Sequence, residues 1–244
     1  MKRLLIKIKY DGTAYHGYQV QNNAVTVQEV FQDAVEKVFN KRLDVIGCSR
    51  TDSGVHANMY CLCLDTDMDI SNEGVILALN TYLPNDIAVF DCAEVDLSFH
   101  PRYNCVSKEY VYVVYNGKYR NPFYDRYAYW YRYDLDAEYL DTQAKAYIGK
   151  HDFSGFCSSK TDVEDTVREI YKFDVWREGD LVYFKVCGDG FLYNMVRIMV
   201  GTLLFVAQGK IKENELSQII ASTDRSRAGR TAPPQGLFLN KIVY

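Results

Sequence analysis

No stretch of the 244 residues stays apolar long enough to span a bilayer, which takes about 20 such residues in a row. The start, Met1-Lys2-Arg3-Leu4, runs straight into an alternating strand and has no apolar leader region. A soluble, cytoplasmic protein with no membrane attachment is expected. No Cys-x-x-Cys pair occurs among the seven cysteines, and a disulfide framework is not expected of a chain in a reducing compartment. Only four histidines are present, none at ligand spacing, and Cys61 and Cys63 alternate on a strand without further partners. No metal site is expected from such a set. Lysine and arginine are missing altogether between Leu64 and Phe99, where eight acids stand. The net charge of −4 argues against a polyanionic partner. Outside that one segment, however, 28 basic residues face 24 acidic ones. An acidic face can coexist with a basic cleft, and it can equally be a solvated surface that aids solubility.

What is present is regular. A chain of this length buries a substantial core, as one large domain or two small ones. Arg3 to Tyr10 sets Leu4, Ile6, Ile8 and Tyr10 against Lys7 and Lys9, the pattern of a half-buried strand. Thr26 followed by Glu29 reads as a capping box before a helix carrying Val27, Phe31, Ala34 and Val35. Leu43 to Ile46 and Met59 to Leu64 read as strands, and a second helix runs from Ser71 to Pro84. The second half repeats the theme. It has a strand over Glu109 to Tyr115 and a helix capped by Asp136 and stopped at Gly149. Paired strands follow over Val167 to Trp176 and Leu181 to Cys187, joined at Glu178-Gly179-Asp180. A long apolar helix from Leu192 to near Gly209, a short one over Glu213 to Ser222 and a last strand over Leu237 to Val243 complete the chain. The fold class is α+β, with two ferredoxin-like (RRM-like) halves whose antiparallel sheets join. The halves are assigned as residues 1–106 and 107–244. The connection around Tyr119 to Tyr133, with six tyrosines, is the expected boundary region.

Between the strands Leu43 to Ile46 and Met59 to Leu64 lies Gly47-Cys48-Ser49-Arg50-Thr51-Asp52-Ser53-Gly54-Val55-His56-Ala57. Glycines flanking a polar run mark a loop that turns sharply or approaches a ligand. The run presents Asp52 beside Arg50. By itself, such a pair is also an ordinary turn or a surface ion pair.

Taken together, the motifs resemble the bacterial tRNA pseudouridine synthase A family from end to end. They are Tyr10-Asp11-Gly12-Thr13, the Arg50 to Ala57 loop, Phe99-His100-Pro101-Arg102-Tyr103 and Lys108-Glu109-Tyr110-Val111-Tyr112. They continue with His151-Asp152-Phe153-Ser154-Gly155-Phe156, Gly190 to Gly201 and Ala228 to Leu237, in family order. The resemblance implies an isomerase with tRNA as partner. It makes pseudouridine from uridines of the anticodon stem-loop without a cofactor, working as a homodimer with a cleft between its halves and no other protein partner. It implies that Asp52 is the catalytic aspartate, as ribose nucleophile or promoter of a glycal path. It implies that Tyr110 stacks on the target base, with its hydroxyl a candidate to accept the C5 proton. Arg197 would pair with Asp52 and keep it ionised. Arg50 would help flip the target nucleotide. Arg102 and Lys108 are phosphate-contact candidates, with Arg168, Arg227 and Arg230 weaker ones.

Four positions depart from the family pattern: Ser49, Pro101, Lys108 and Arg230. They leave open a paralogue with another target uridine. Two further classes stay in view. A non-catalytic RNA-binding protein or tRNA folding helper would need basic and aromatic residues but not Asp52 with Arg197. An aspartate-dependent nucleoside hydrolase would need a water-activating partner, which the sequence does not display.

Overall fold

A computed structural model describes residues 1–158 and 165–244. The chain divides into two compact units, residues 1–106 with 239–244, and residues 107–238. Helices and mostly antiparallel strands mix in both. Among the described residues, no helix is long and apolar enough to cross a membrane.

In the first unit, β1 (Lys2–Tyr10) lies between β3 (His56–Thr66) and β4 (Ile87–Val95), antiparallel to both. Its alternation explains this place. Leu4, Ile6, Ile8 and Tyr10 are buried on one face, while Lys7 reaches Asp91 at 2.7 Å. The strand expected before the loop shrinks to β2 (Ile46–Gly47), paired with β3. Helix α1 (Val27–Phe39) begins where Thr26 Oγ1 accepts the Glu29 amide at 3.3 Å and ends at Asn40 with φ 53°. Helix α2 (Asn72–Tyr82) is capped by Ser71 and packs on β4. Val75 and Leu79 are buried within the helix and Leu83 just past its end, while Ile76 is only half-buried. The acidic segment from 65 to 96 covers the end of β3, α2 and β4.

In the second unit, β5 (Ser107–Tyr115), β9 (Leu181–Gly188), β8 (Val167–Glu178) and β7 (Gly149–Asp152) pair antiparallel in that order. Short β6 (Tyr129–Trp130) adds to β5 in parallel. Gly179, with φ 57°, makes the β8–β9 turn. Helix α3 (Ala137–Ala144) ends earlier than expected. The chain tightens into a 3-10 turn over Lys145–Tyr147 before Gly149, and Ile148 is left largely exposed. Helix α4 (Met195–Ala207) is apolar nearly all round, and ten of its thirteen residues are buried. Such a helix belongs in a core. Helix α5 (Glu215–Ser222) completes this unit, and β10 (Leu237–Val243) ends the chain, with Leu239 onward counted in the first unit.

The tyrosine-rich stretch from 119 to 133 lies inside the second unit. Its rings explain why. Tyr124 packs on Tyr115 at 5.0 Å, and Tyr131, 5 % exposed, points its hydroxyl at Leu204 O. Buried rings of this kind belong to a core, and an aromatic-rich composition does not mark a linker.

Candidate active site

Asp52 opens a four-residue turn closed by the Val55 amide, which donates to Asp52 O at 3.2 Å. Gly54 takes the third position with φ 75°. That left-handed conformation is the reason for a glycine there. The turn's shoulders are buried: Thr51 is 8 % exposed, Val55 2 % and His56 2 %. Asp52 itself is half-buried and Ser53 exposed. Before the turn, Gly47 allows a close approach. A Cβ there would fall 2.2 Å from Tyr60 Oη and 2.6 Å from the Tyr18 ring. Arg50, two residues before Asp52, is exposed.

The N-terminal motif closes over this loop. Gly54 N donates to Tyr15 O at 3.2 Å, Ser53 Oγ to the same carbonyl at 3.3 Å, and Tyr18 N to Thr51 O at 3.2 Å. These are contacts that sequence reasoning missed, although the motif was in plain view. The usable signal was Gly12, followed by Gly17, in a polar run. Gly17 has φ 84°, and a Cβ there would meet Thr51 O at 2.5 Å.

In the second unit, Tyr110 and Tyr112 share a face of β5, 6 % and 0 % exposed. Tyr110 meets Phe191 edge-on at 5.1 Å. Tyr112 Oη donates to Pro233 O at 2.8 Å. Burial pushes the Tyr112 hydroxyl well above the ordinary phenol range, and the nearby Arg197 charge only partly offsets this. Arg197, the one charged residue of α4, is half-buried. Its Nε donates to Ala232 O at 2.7 Å and its Nη1 to Asn194 Oδ1 at 2.6 Å. The Ala232 amide returns a bond to Arg197 O at 3.0 Å. Asn194, with φ 61°, is itself tied to Ser158 Oγ at 2.8 Å. The guanidinium is therefore a held fork rather than a snorkelling edge group.

The structure places Arg50 and Asp52 on one loop of the first unit, and Tyr110 and Arg197 in the second, where the Arg197 charge acts on Tyr112, the neighbour of Tyr110 on its strand face. Arg102 belongs to an exposed turn of the first unit. Its amide and that of Tyr103 both donate to His100 Nδ1, and its guanidinium lies 5.9 Å from the Tyr103 ring. Lys108 is half-buried at the start of β5, opposite Gly188. Of the departures, Pro101 lends its carbonyl to Tyr244 Oη at 3.0 Å, and Ser49 lends its carbonyl to Tyr60 Oη. The Arg230 side chain is exposed while its backbone packs on α4. Backbone roles like these tolerate a change of side chain.

None of the seven cysteines is in a disulfide, and burial pushes Cys61 up to about 11 and Cys63 up to about 12. Both are therefore protonated at neutral pH. No group of three or more His, Cys, Asp or Glu among the described residues is placed to hold a metal ion.

A family model described as tRNA pseudouridine synthase matches residues 6–104 and 143–244. Asp52 and Arg197 lie within the matched stretches, while Lys108 and Tyr110 lie between them. A tRNA pseudouridine synthase A of Thermoanaerobacter sp. (strain X514) is 45 % identical over 244 residues, covering all of both chains. Enzymes of that name from Brevibacillus brevis and Acetivibrio thermocellus are 44 % and 43 % identical, again over the full length of both chains.

Proposed function

This chain belongs to the tRNA pseudouridine synthase family and is an isomerase of tRNA uridines; we propose that it acts in the anticodon stem-loop through Asp52. The reaction breaks the bond from ribose C1′ to uracil N1, turns the base and rejoins it through C5, which gives up a proton while the freed N1 takes one up. It consumes no electrons and transfers nothing away, so the chain's own residues can supply every group it needs. The observation that carries this reading is the Asp52 turn. A carboxylate is presented at the head of a glycine-dependent turn with buried shoulders, inside the family's matched stretch.

In this reading Asp52 works as the anion, as nucleophile at C1′ or as promoter of a glycal path. Tyr110 stacks on the target base, a contact worth about 1–3 kcal/mol per base, and its hydroxyl is a candidate acceptor for the C5 proton. Arg50, exposed beside Asp52, fills the space left when the nucleotide flips. Flipping costs a few kcal/mol, least where stacking is already weak, as in a loop. Arg102 and Lys108 contact phosphates. The protein works as a homodimer in the cytoplasm, where its substrate is.

Tritium release from unmodified tRNA transcripts carrying 5-tritiated uridine tests the reaction. Release, with pseudouridine mapped to the anticodon stem-loop, is the expected result. Binding without release from any tRNA would overturn it. In the same assay Tyr110→Phe should still bind tRNA, because the stacking ring remains. A fall of roughly tenfold or more in its rate would assign proton transfer to the hydroxyl; an unchanged rate would limit Tyr110 to stacking.

Arg197→Lys tests the held fork. One ammonium cannot serve both Ala232 O and Asn194 Oδ1 along the directions that Nε and Nη1 use. The rate should fall roughly 10²-fold, the usual cost of a misplacement of about 1 Å. The stability change should stay near 1 kcal/mol, since the group is only half-buried. A wild-type rate in Arg197→Lys would show that charge alone suffices.

A further inference from the structure

The segment from Tyr10 to Tyr18 grips the Asp52 turn on both sides. Before Asp52, Thr51 is held twice: its carbonyl accepts the Tyr18 amide, and its hydroxyl shares a 2.8 Å bond with Tyr10 Oη. After Asp52, the Gly12 amide donates to His56 Nδ1 at 3.0 Å. Only a glycine fits there, since a Cβ on residue 12 would fall 1.9 Å from Val55 O. Asp11 shapes the 3-10 turn that presents this amide, with its Oδ1 accepting from Thr13 N at 2.9 Å.

The same Asp11 oxygen also lies 3.1 Å from His56 Nδ1. One ring nitrogen cannot accept from an amide and donate to a carboxylate at once. The amide hydrogen is fixed by the backbone and aims at the ring, whereas the imidazole proton can sit on either nitrogen. With the Gly12 amide as its donor, Nδ1 is assigned the lone pair and Nε2 the proton. His56 is then a neutral, buried acceptor whose ring joins the start of β3 to the N-terminal motif.

We propose that Tyr10 and His56 are positioning residues for the reaction, fixing the direction of the Asp52 carboxylate through the two shoulders of its turn. The proposal rests on Asp52 being the reacting carboxylate. Thr51 and Val55 are the residues through which the anchors act, and both are buried. A turn pinned at both ends has little freedom to reorganise as the reaction proceeds. Rates are sensitive to placement at this scale, with about 1 Å costing roughly 10²-fold. Binding of tRNA, spread over many phosphates, is far less sensitive to the direction of one carboxylate.

The test compares Tyr10→Phe, His56→Leu and His56→Asn with wild type and Asp52→Ala. It measures tritium release at saturating and limiting tRNA, tRNA affinity by filter binding, and thermal melting. Tyr10→Phe deletes one oxygen and should lower kcat roughly tenfold, while His56→Leu should lower it roughly 10²-fold. Asparagine can place an amide oxygen near the position of Nδ1, so His56→Asn should recover most of that loss. KM and affinity should stay within about twofold of wild type, because the phosphate contacts are untouched. Wild-type kcat in folded Tyr10→Phe and His56→Leu would overturn the proposal. So would losses confined to KM, or losses that merely follow the folded fraction. If His56→Leu does not fold, Tyr10→Phe decides alone, and a wild-type kcat in it rejects the anchor role. An inactive Asp52→Ala beside fully active anchor variants would remove only the anchors; an active Asp52→Ala would remove the reading of the site and the anchors with it.

Discussion

Asp52→Ala is expected to abolish tritium release, by roughly 10⁴-fold or more, while the protein still folds and still binds tRNA. The separation follows from how the turn is built. Its closing bond uses the Asp52 carbonyl, its left-handed position is Gly54, and its neighbours are tied through backbone groups of Tyr15, Thr51 and Tyr18. None of these is removed by shortening residue 52. A half-buried side chain at the head of a turn costs about 1 kcal/mol or less when truncated, so the melting temperature should stay close to that of wild type. Affinity for tRNA should be kept as well, because the proposed phosphate contacts from Arg102 and Lys108 would carry it. Asp52→Asn should be as inactive as alanine, since it keeps the shape and loses the charge. Measurable turnover in either variant would remove Asp52 from the mechanism.

Gly201→Ala should produce the largest loss of stability of any small substitution in the second unit. Alanine in place of glycine inside a helix ordinarily stabilises by about 1 kcal/mol. Here the sign reverses. A Cβ on Gly201 would fall 1.7 Å from Arg230 O, a backbone atom with no flexible side chain to yield. The approach is reciprocal, with a Cβ on Gly229 meeting Gly201 O at 2.5 Å. The Gly229 amide also donates to Thr202 Oγ1 at 2.9 Å, so α4 and the segment after α5 meet backbone to backbone. Overpacking of this kind costs about 3 kcal/mol, or roughly 6–12 °C in melting temperature for a chain of this size. The rate should fall too, since the same segment carries Ala232, which holds Arg197 through two bonds. Gly209→Ala is the control. It has φ 67° and open space around it, so it carries backbone strain without the collision and should cost only about 1 kcal/mol. A neutral or stabilising Gly201→Ala, measured by thermal melting, would mean that the two backbones are not in contact.

Much of the architecture was legible because periodicity reports which face of an element is buried. The alternation of Arg3 to Tyr10, the Thr26 and Ser71 caps and the apolar run of α4 each mark an element that is there. The misses have local causes. β6 and β7 are two and four residues long, too short to show a period. The strand before the Asp52 loop is only Ile46–Gly47, because Leu43, Asp44 and Val45 precede the short pairing with β3 and take no part in it. The end of α3 came early because a 3-10 turn satisfies the same caps with fewer residues.

The sequence by itself determined the element types, the family and the presence of Asp52, Tyr110 and Arg197 in motifs that resemble a uridine isomerase. Only the tertiary structure decided that Asp11, Gly12 and His56 meet around one buried ring. The same holds for the glycine in the middle of α4, which is there for Arg230 O, and for the Arg197 fork, which closes on Ala232. The reason is one of range. Burial patterns and caps arise from interactions within a turn or two of chain, so they are written locally. A contact between residues 12 and 56, or 201 and 230, depends on where the whole path of the backbone returns, and no short window of sequence carries that.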